Sequence, residues 1–494
     1  MATATSTTTP ALEFETVIGL EIHAQLITRS KMFSTATAEI AGAPPNTCID
    51  PVCTGLPGVL PVVNAAAVRQ ATRVALALGG TIQLQSRFDR KNYTYPDLPK
   101  GYQITQYDLP LSLGGYVTVA TEAGERRVGI TRVHMEEDTG RNMHRTHPDG
   151  TPYTLVDLNR AGVPLLEIVG EPDLRSPEEA RKYFETLRNL LRYIGACSGN
   201  MEEGALRCDA NISLRPWGST PFGAKVEIKN VNSFRALYRA LMYETERQAT
   251  ILRSSGTIMQ ETRGWSEPQG VTLGQRSKEQ AHDYRYFPEP DLPPLTLTES
   301  FVTECRASLP ELPEERRARY VAAYGLNRAD AFALTESPVV ANYFEAIIGG
   351  DTRAERGRAA AARVTNELFA LNADHEAAIT AAPKPEAVRD LLDLIENKTI
   401  SATAAKAVFA AMAETGGGAR DVVARLGLAQ VSDEGALLPA VDAAIAANPK
   451  AVADYRGGKP ASLNALVGAV IRTTKGANHG VVRNLLIRRL EETP

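Results

Sequence analysis

Residues 17–27, VIGLEIHAQLI, alternate apolar and polar side chains. That period of two predicts a strand with Ile18, Leu20, Ile22, Ala24 and Leu26 on one side and Glu21, His23 and Gln25 on the other. The same period in 116–120 and 128–135 predicts a hairpin turning at Glu122 to Glu125, and 210–214 with 225–229 predicts a second. Helical spacing takes over from Ser176 to Ile194: Ser176 caps, Pro177 takes the first position, Glu179 completes a capping box, and Gly195 ends the run. Ala180, Tyr183, Phe184, Leu187, Leu190, Leu191 and Ile194 then form one apolar stripe suited to the back of a sheet. Further helices are predicted at 65–78, stopped by Gly79 and Gly80, and at 234–252. The texture is α+β with an antiparallel sheet.

Strand signals fade after the closely spaced prolines of 287–294, which predict an extended connector. Beyond them the chain is Ala- and Leu-rich with helical periodicity, as in 308–324, 386–394 and 460–490, and Gly416 to Gly418 marks a second break. The expected organisation is a disordered leader over 1–12, a catalytic domain over 13–295, a helical domain over 296–415 and a helical tail over 416–494. With 494 residues, 43% hydrophobic and 23% charged, the chain suffices for several cores. The net charge of -4 excludes a uniformly basic nucleic-acid binder. Five scattered cysteines argue against a disulfide framework and for the cytoplasm, and no apolar run is long enough to span a membrane.

Acids interrupt apolar strands at three places. Glu21 and His23 share one face of the first strand; Arg132, His134, Glu136 and Asp138 share a face of 128–138, with Glu137 opposite; and Glu167 sits in VPLLEIV, apolar on both sides. A buried lone carboxylate costs on the order of several kcal/mol unless paired or metal-bound. Acids converging on one sheet face suit a divalent cation holding phosphates. Candidate phosphate clamps are Lys91, Lys100 and Arg207. No G-x-x-x-x-G-K-[ST], G-x-G-x-x-G or H-E-x-x-H motif occurs, which disfavours a P-loop ATPase, a Rossmann dehydrogenase and a zincin.

The stretches VIGLEIHAQL (17–26), FDRKNYTYPDLPKGYQITQYDLPL (88–111), RVHMEEDTGR (132–141), LVDLNRAGVPLLEIVGEPDLRSPEEA (155–180), MEEGALRCDANISLRP (201–216) and HDYRYFPEPD (282–291) resemble the B subunits of aspartyl/glutamyl-tRNA(Asn/Gln) amidotransferases, collinearly and through YRGGKPASLNALVG (455–468) to TTKGANHGVVRNLL (473–486). The resemblance implies a cradle domain of the glutamine synthetase and guanido kinase type followed by all-α domains. It implies a heterotrimer with a glutaminase A subunit and a C subunit, acting on Asp-tRNA(Asn) and/or Glu-tRNA(Gln). ATP and Mg²⁺ would phosphorylate the side-chain carboxylate before ammonia from glutamine replaces the phosphate. Carried over by position, it makes His23, Glu136 and Glu167 metal ligands and Glu21, Glu137, Lys91 and Lys100 catalytic, with Glu137 near the ammonia exit. Arg132 and Arg207 become phosphate or channel residues.

The chain departs from the family at a zinc-ligand loop: Ser34 and Ala36 replace a Cys-x-Cys pair, and Asp50 precedes Cys53 where a second pair would stand, with Cys48 out of register. Two thiols cannot close a four-ligand site, so no zinc is expected. Residues 450–494 carry a surplus of five positive charges, and Lys459, Arg472, Lys475 and Arg483 are candidate contacts to tRNA phosphates. Two rival readings remain, a small-molecule carboxylate kinase and a non-catalytic tRNA-binding scaffold.

Overall fold

A computed structural model describes residues 14–121, 124–277, 283–429, 433–474 and 476–492. The expected leader, the turn residues Glu122 and Ala123, and Lys475 lie outside the described residues. The chain divides into two compact units, to Leu312 and from Pro313.

The first unit is built on a 13-stranded sheet. Its main path uses β1 (Phe14–Gln25), β2 (Asp89–Asn92), β3 (Tyr102–Thr105), β4 (Gly124–Glu137), β5 (Pro164–Gly170), β6 (Leu206–Pro216), β7 (Val226–Val231), β8 (Glu261–Ser266), β9 (Val271–Ser277) and β10 (Phe287–Pro288), in the order β9-β8-β7-β6-β1-β5-β4-β3-β2-β10. Both expected hairpins form: Tyr116–Thr121 pairs with β4, and β6 with β7, antiparallel. The sheet is mixed rather than purely antiparallel, because β7 and β8 run parallel, joined by a crossover helix.

Three helices, α1 (Ala65–Ala77), α2 (Pro177–Tyr193) and α3 (Phe234–Arg253), share one core with Ile18, Leu20, Ile22 and Ala24 of β1. The alternation thus assigns β1's apolar side to the helices and its polar side to the other face. At the start of α2, Ser176 Oγ accepts from the Glu179 N–H at 3.1 Å, while Glu179 reaches back to the N–H of Arg175 at 2.8 Å. The box is displaced by one residue from its usual reach, and both terminal donors are satisfied.

The expected boundary at 295 falls inside the first unit. β10 adds to β2, and the next helix, α4 (Glu299–Ala307), lies against α1, with the Arg69 guanidinium 4.8 Å from the Phe301 ring. The helix expected over 308–324 starts only at α5 (Pro313–Tyr324), because Pro310 and Pro313 remove backbone donors and disfavour helix before them.

In the second unit, helices from α5 to Ala419–Leu426 enclose a core around Phe344, Leu391 and Phe409 that includes Ala419, Val422 and Val423. The expected break at 416 therefore falls before the last helix of that core. Glu434–Ala447, Leu463–Thr473 and His479–Glu492 enclose a separate core around Leu437, Leu466 and Leu486. Gly476, at φ +84, stands between the last two helices where a side chain would be strained.

Candidate functional site

β1 lies between β5 and β6, so His23 stands opposite Glu167 on one side and Arg207 on the other. β5 also pairs with β4, which puts Glu167 opposite His134 and Leu165 opposite Glu136. Directly opposed residues project to the same sheet face, so three segments far apart in sequence deliver one row of ionisable groups. His23 Nε2 is 3.5 Å from Glu167 Oε2 and 3.8 Å from Glu136 Oε1, and His134 Nε2 is 3.2 Å from Glu167 Oε2. Thr105 Oγ1 donates to Glu136 Oε2 at 3.3 Å. On the same face Glu21 accepts from Asn211 Nδ2 at 2.9 Å.

The electrostatics follow from this crowding. Burial alone would hold His23 neutral, but the hydrogen bond and charge of Glu167, with Glu136 and Asp209 behind, outweigh it and raise its pKa to about 9. Burial raises Glu167 too, yet the imidazoles of His134 and His23 override it and leave Glu167 well below the usual carboxylate range. Glu21 is raised, first by burial and then by the charge of Glu167. Arg132 Nε donates to His134 Nδ1 at 3.4 Å, which leaves the Nε2 proton of His134 facing Glu167.

Two carboxylates drawing a proton onto His23 form a pocket that calls for positive charge. One donor atom each from His23, Glu136 and Glu167 lies within 4.8 Å of the others. Ligands on an octahedral Mg²⁺ sit roughly 3.0 Å apart when adjacent and roughly 4.2 Å when opposite, so the three donors need only draw together, and three protein ligands leave the remaining positions to phosphate and water. The donor set therefore fits a divalent cation. The two carboxylates suit Mn²⁺ as they suit Mg²⁺.

The other expected residues are placed differently. Glu137 follows Met135 to the opposite side of β4, where it pairs with Lys100 and accepts the Ile104 N–H at 3.0 Å. Arg207 pairs with buried Asp138 at 2.8 Å, beside Gln25 and Arg160. Lys91 makes no ion pair among the described residues; its ammonium lies 4.9 Å from the Tyr284 ring centroid. Burial would lower its pKa, but Glu136, Tyr286 and Glu167 outweigh that and raise it. His134, although placed on the right face by alternation, was not expected as a partner of Glu167, and neither was Asn211 as a partner of Glu21.

At the degenerate zinc loop, Ser34 Oγ lies 3.3 Å from Cys53 Sγ and the Cys53 N–H donates to Asp50 Oδ1 at 2.8 Å. Hydrogen bonds thus occupy the groups that stand where thiol ligands would.

A family model described as GatB/GatE catalytic domain matches residues 16–303, and one described as GatB domain matches 342–490. The B subunit of an aspartyl/glutamyl-tRNA(Asn/Gln) amidotransferase from Thermomicrobium roseum is 53% identical over 97% of this chain and 99% of its own length. The chain belongs to the family of amidotransferase B subunits. Relatives of the same description from Herpetosiphon aurantiacus and Carboxydothermus hydrogenoformans are 51% and 50% identical over 98% and 97% of the chain. The family's catalytic-domain match begins within β1 and ends within α4, so it spans all the other strands of the sheet and the acid–imidazole row. The α+β cradle followed by helical segments, expected from the sequence, is the architecture seen. No described helix is long and apolar enough to cross a membrane.

Proposed function

We propose that this protein is the ATP-dependent member of a cytoplasmic heterotrimer with a glutaminase A subunit and a C subunit, converting Asp-tRNA(Asn) and/or Glu-tRNA(Gln) into Asn-tRNA(Asn) and Gln-tRNA(Gln). The observation that carries the reading is the convergence of His23, Glu136 and Glu167 from three strands on one sheet face. Family membership supplies the reaction class, a ligase forming a carbon–nitrogen bond.

A carboxylate cannot be aminated directly because its oxygen is a poor leaving group. The substrate's side-chain carboxylate attacks the γ-phosphorus of ATP, ADP departs, ammonia adds to the acyl carbon and inorganic phosphate leaves with the carbon–oxygen bond. His23, Glu136 and Glu167 would hold Mg²⁺, which when bound neutralises the triphosphate charge. Lys91 offers its ammonium to phosphate oxygens. Arg132 fixes the His134 ring that orients Glu167, and Arg207 balances Asp138 beneath the site. Glu21, raised by burial, can take a proton from the attacking amine; Glu137, paired with Lys100, guides ammonia in from the far side of β4. Arg472, Lys475 and Arg483 contact tRNA phosphates, whereas Lys459, expected beside them, is paired with Asp454 at 2.9 Å.

In the assembled enzyme, Glu167→Gln should abolish ATP-dependent amidation of both charged tRNAs while glutamine hydrolysis by the A subunit continues. A normal amidation rate would remove the acid–imidazole row from the chemistry. The small-molecule kinase reading predicts ATP turnover without charged tRNA, and the scaffold reading predicts that the substitution changes nothing.

A further inference from the structure

A stacked pair of tyrosines beside the acid–imidazole row, Tyr107 exposed and Tyr286 half-buried, is held by two separate polar networks. The Tyr107 and Tyr286 rings are stacked, centroids 3.9 Å apart and planes within 7°. Tyr107 is 51% exposed, so with Tyr286 on one side its other side is open. Its backbone is pinned by Asp89, only 2% exposed, which accepts the N–H of Tyr107 at 3.2 Å and of Asp108 at 3.1 Å and pairs with Arg87. Tyr286 arrives on a different segment. Arg90 clamps that segment through Glu289 at 2.7 and 2.9 Å and through Asp291 at 3.1 Å. Asn92 binds the Tyr284 carbonyl through its N–H and the Arg285 carbonyl through its side chain, both at 2.9 Å. Arg285 itself adopts φ +44, a left-handed conformation that a non-glycine residue adopts at a cost.

Two buried charge networks and a strained residue thus fix one aromatic face that stays open to solvent.

The stack is continuous with the site. Thr105, two residues before Tyr107, hydrogen bonds to Glu136. The Tyr284 ring contacts Tyr286 at 6.0 Å and lies under the Lys91 ammonium. A ligand that placed phosphates at Lys91 and the acidic row would carry any attached base toward the tyrosines.

We infer that the open face of Tyr107, backed by Tyr286, is the platform on which the adenine of ATP stacks. The inference rests on the function proposed above and assigns residues to its nucleotide. Base stacking on an aromatic ring fits an open, rigid face. ATP is preferred to the terminal adenosine of tRNA because one molecule then satisfies both Lys91 and the stack.

The test uses the assembled amidotransferase with Tyr107→Ala and Tyr107→Phe, varying ATP and charged tRNA separately. Tyr107→Ala should raise the KM for ATP roughly five- to hundredfold, the range expected when one base loses its stacking partner. The KM for charged tRNA and the glutaminase rate should be unchanged, and Tyr107→Phe should behave as wild type. Two results would overturn the inference: an unchanged KM for ATP, or a rise in the KM for charged tRNA instead, which would assign the face to the tRNA terminus. If Tyr107→Ala is silent while Glu167→Gln is dead, the platform fails and the proposed function stands; if both are silent, the function fails as well.

Discussion

At the scale of single residues, the site is a matter of which charges are left over after neighbours have neutralised each other. Arg207 illustrates the point, since a basic residue opposite His23 on β6 proves to be committed to Asp138. Burial raises the pKa of Asp138, but the charges of Arg207 and Arg160 override it and lower it overall. Arg207→Met should therefore destabilise the protein by about 2–3 kcal/mol in a denaturant melt, because a buried carboxylate loses its main counter-charge. Lys91 has no such commitment, and Lys91→Met should impair ATP-dependent turnover with little effect on stability. The sequence made much of this legible. Alternation alone put Glu21 with His23 and Glu136 with His134, and set Glu137 on the other side. It could not show that His134 meets Glu167, or that Lys100 is closed by Glu137, because those contacts depend on the register between strands, which no single strand encodes.

At the scale of elements, the local signals succeeded where the information is local. The cap at Ser176 and both hairpins were readable from residues a few positions apart. The insertion of β1 between β5 and β6, separated from it by well over a hundred residues in sequence, was not, and that pairing assembles the site. The crossover from β7 through α3 to β8 was missed for the same reason. It is secured by Glu244 on α3, fully buried, which binds Arg247 at 2.8 and 2.9 Å and Gln248 at 3.1 Å, and bonds to Thr272 of β9 and, at 3.1 Å, Arg263 of β8. Burial raises the pKa of Glu244, but the hydrogen bonds from Arg247, Thr272 and Gln248 prevail and lower it. A carboxylate depressed on folding contributes stability above its unfolded pKa and loses it as the pH falls through the folded value. Glu244→Gln should thus destabilise at pH 7 by about 3 kcal/mol. The difference from wild type should shrink as both are melted at pH values below about 4.

At the scale of the whole molecule, the sheet unit holds the acid–imidazole row, and the positive surplus lies at the end of the helical unit, in residues 450–494. Several tail charges are engaged internally: Arg488 pairs with Glu434, Arg489 with Asp442 and Lys459 with Asp454. That leaves Arg472 and Arg483 as the exposed guanidiniums most suited to tRNA phosphate. Removing residues 433–494, which spares the preceding helical core, should weaken tRNA binding, flatten its salt dependence and leave glutamine hydrolysis intact; unchanged affinity would move the tRNA contact elsewhere. Elemental analysis of the purified chain should find no stoichiometric zinc, since Ser34, Asp50 and Cys53 satisfy one another. The most direct test of the account is a Mn²⁺ titration of the protein followed by electron paramagnetic resonance, comparing wild type with Glu136→Gln and Glu167→Gln. The account predicts one site in the wild type that is lost or weakened at least tenfold in each variant while the fold melts normally; identical Mn²⁺ binding by all three proteins would contradict it.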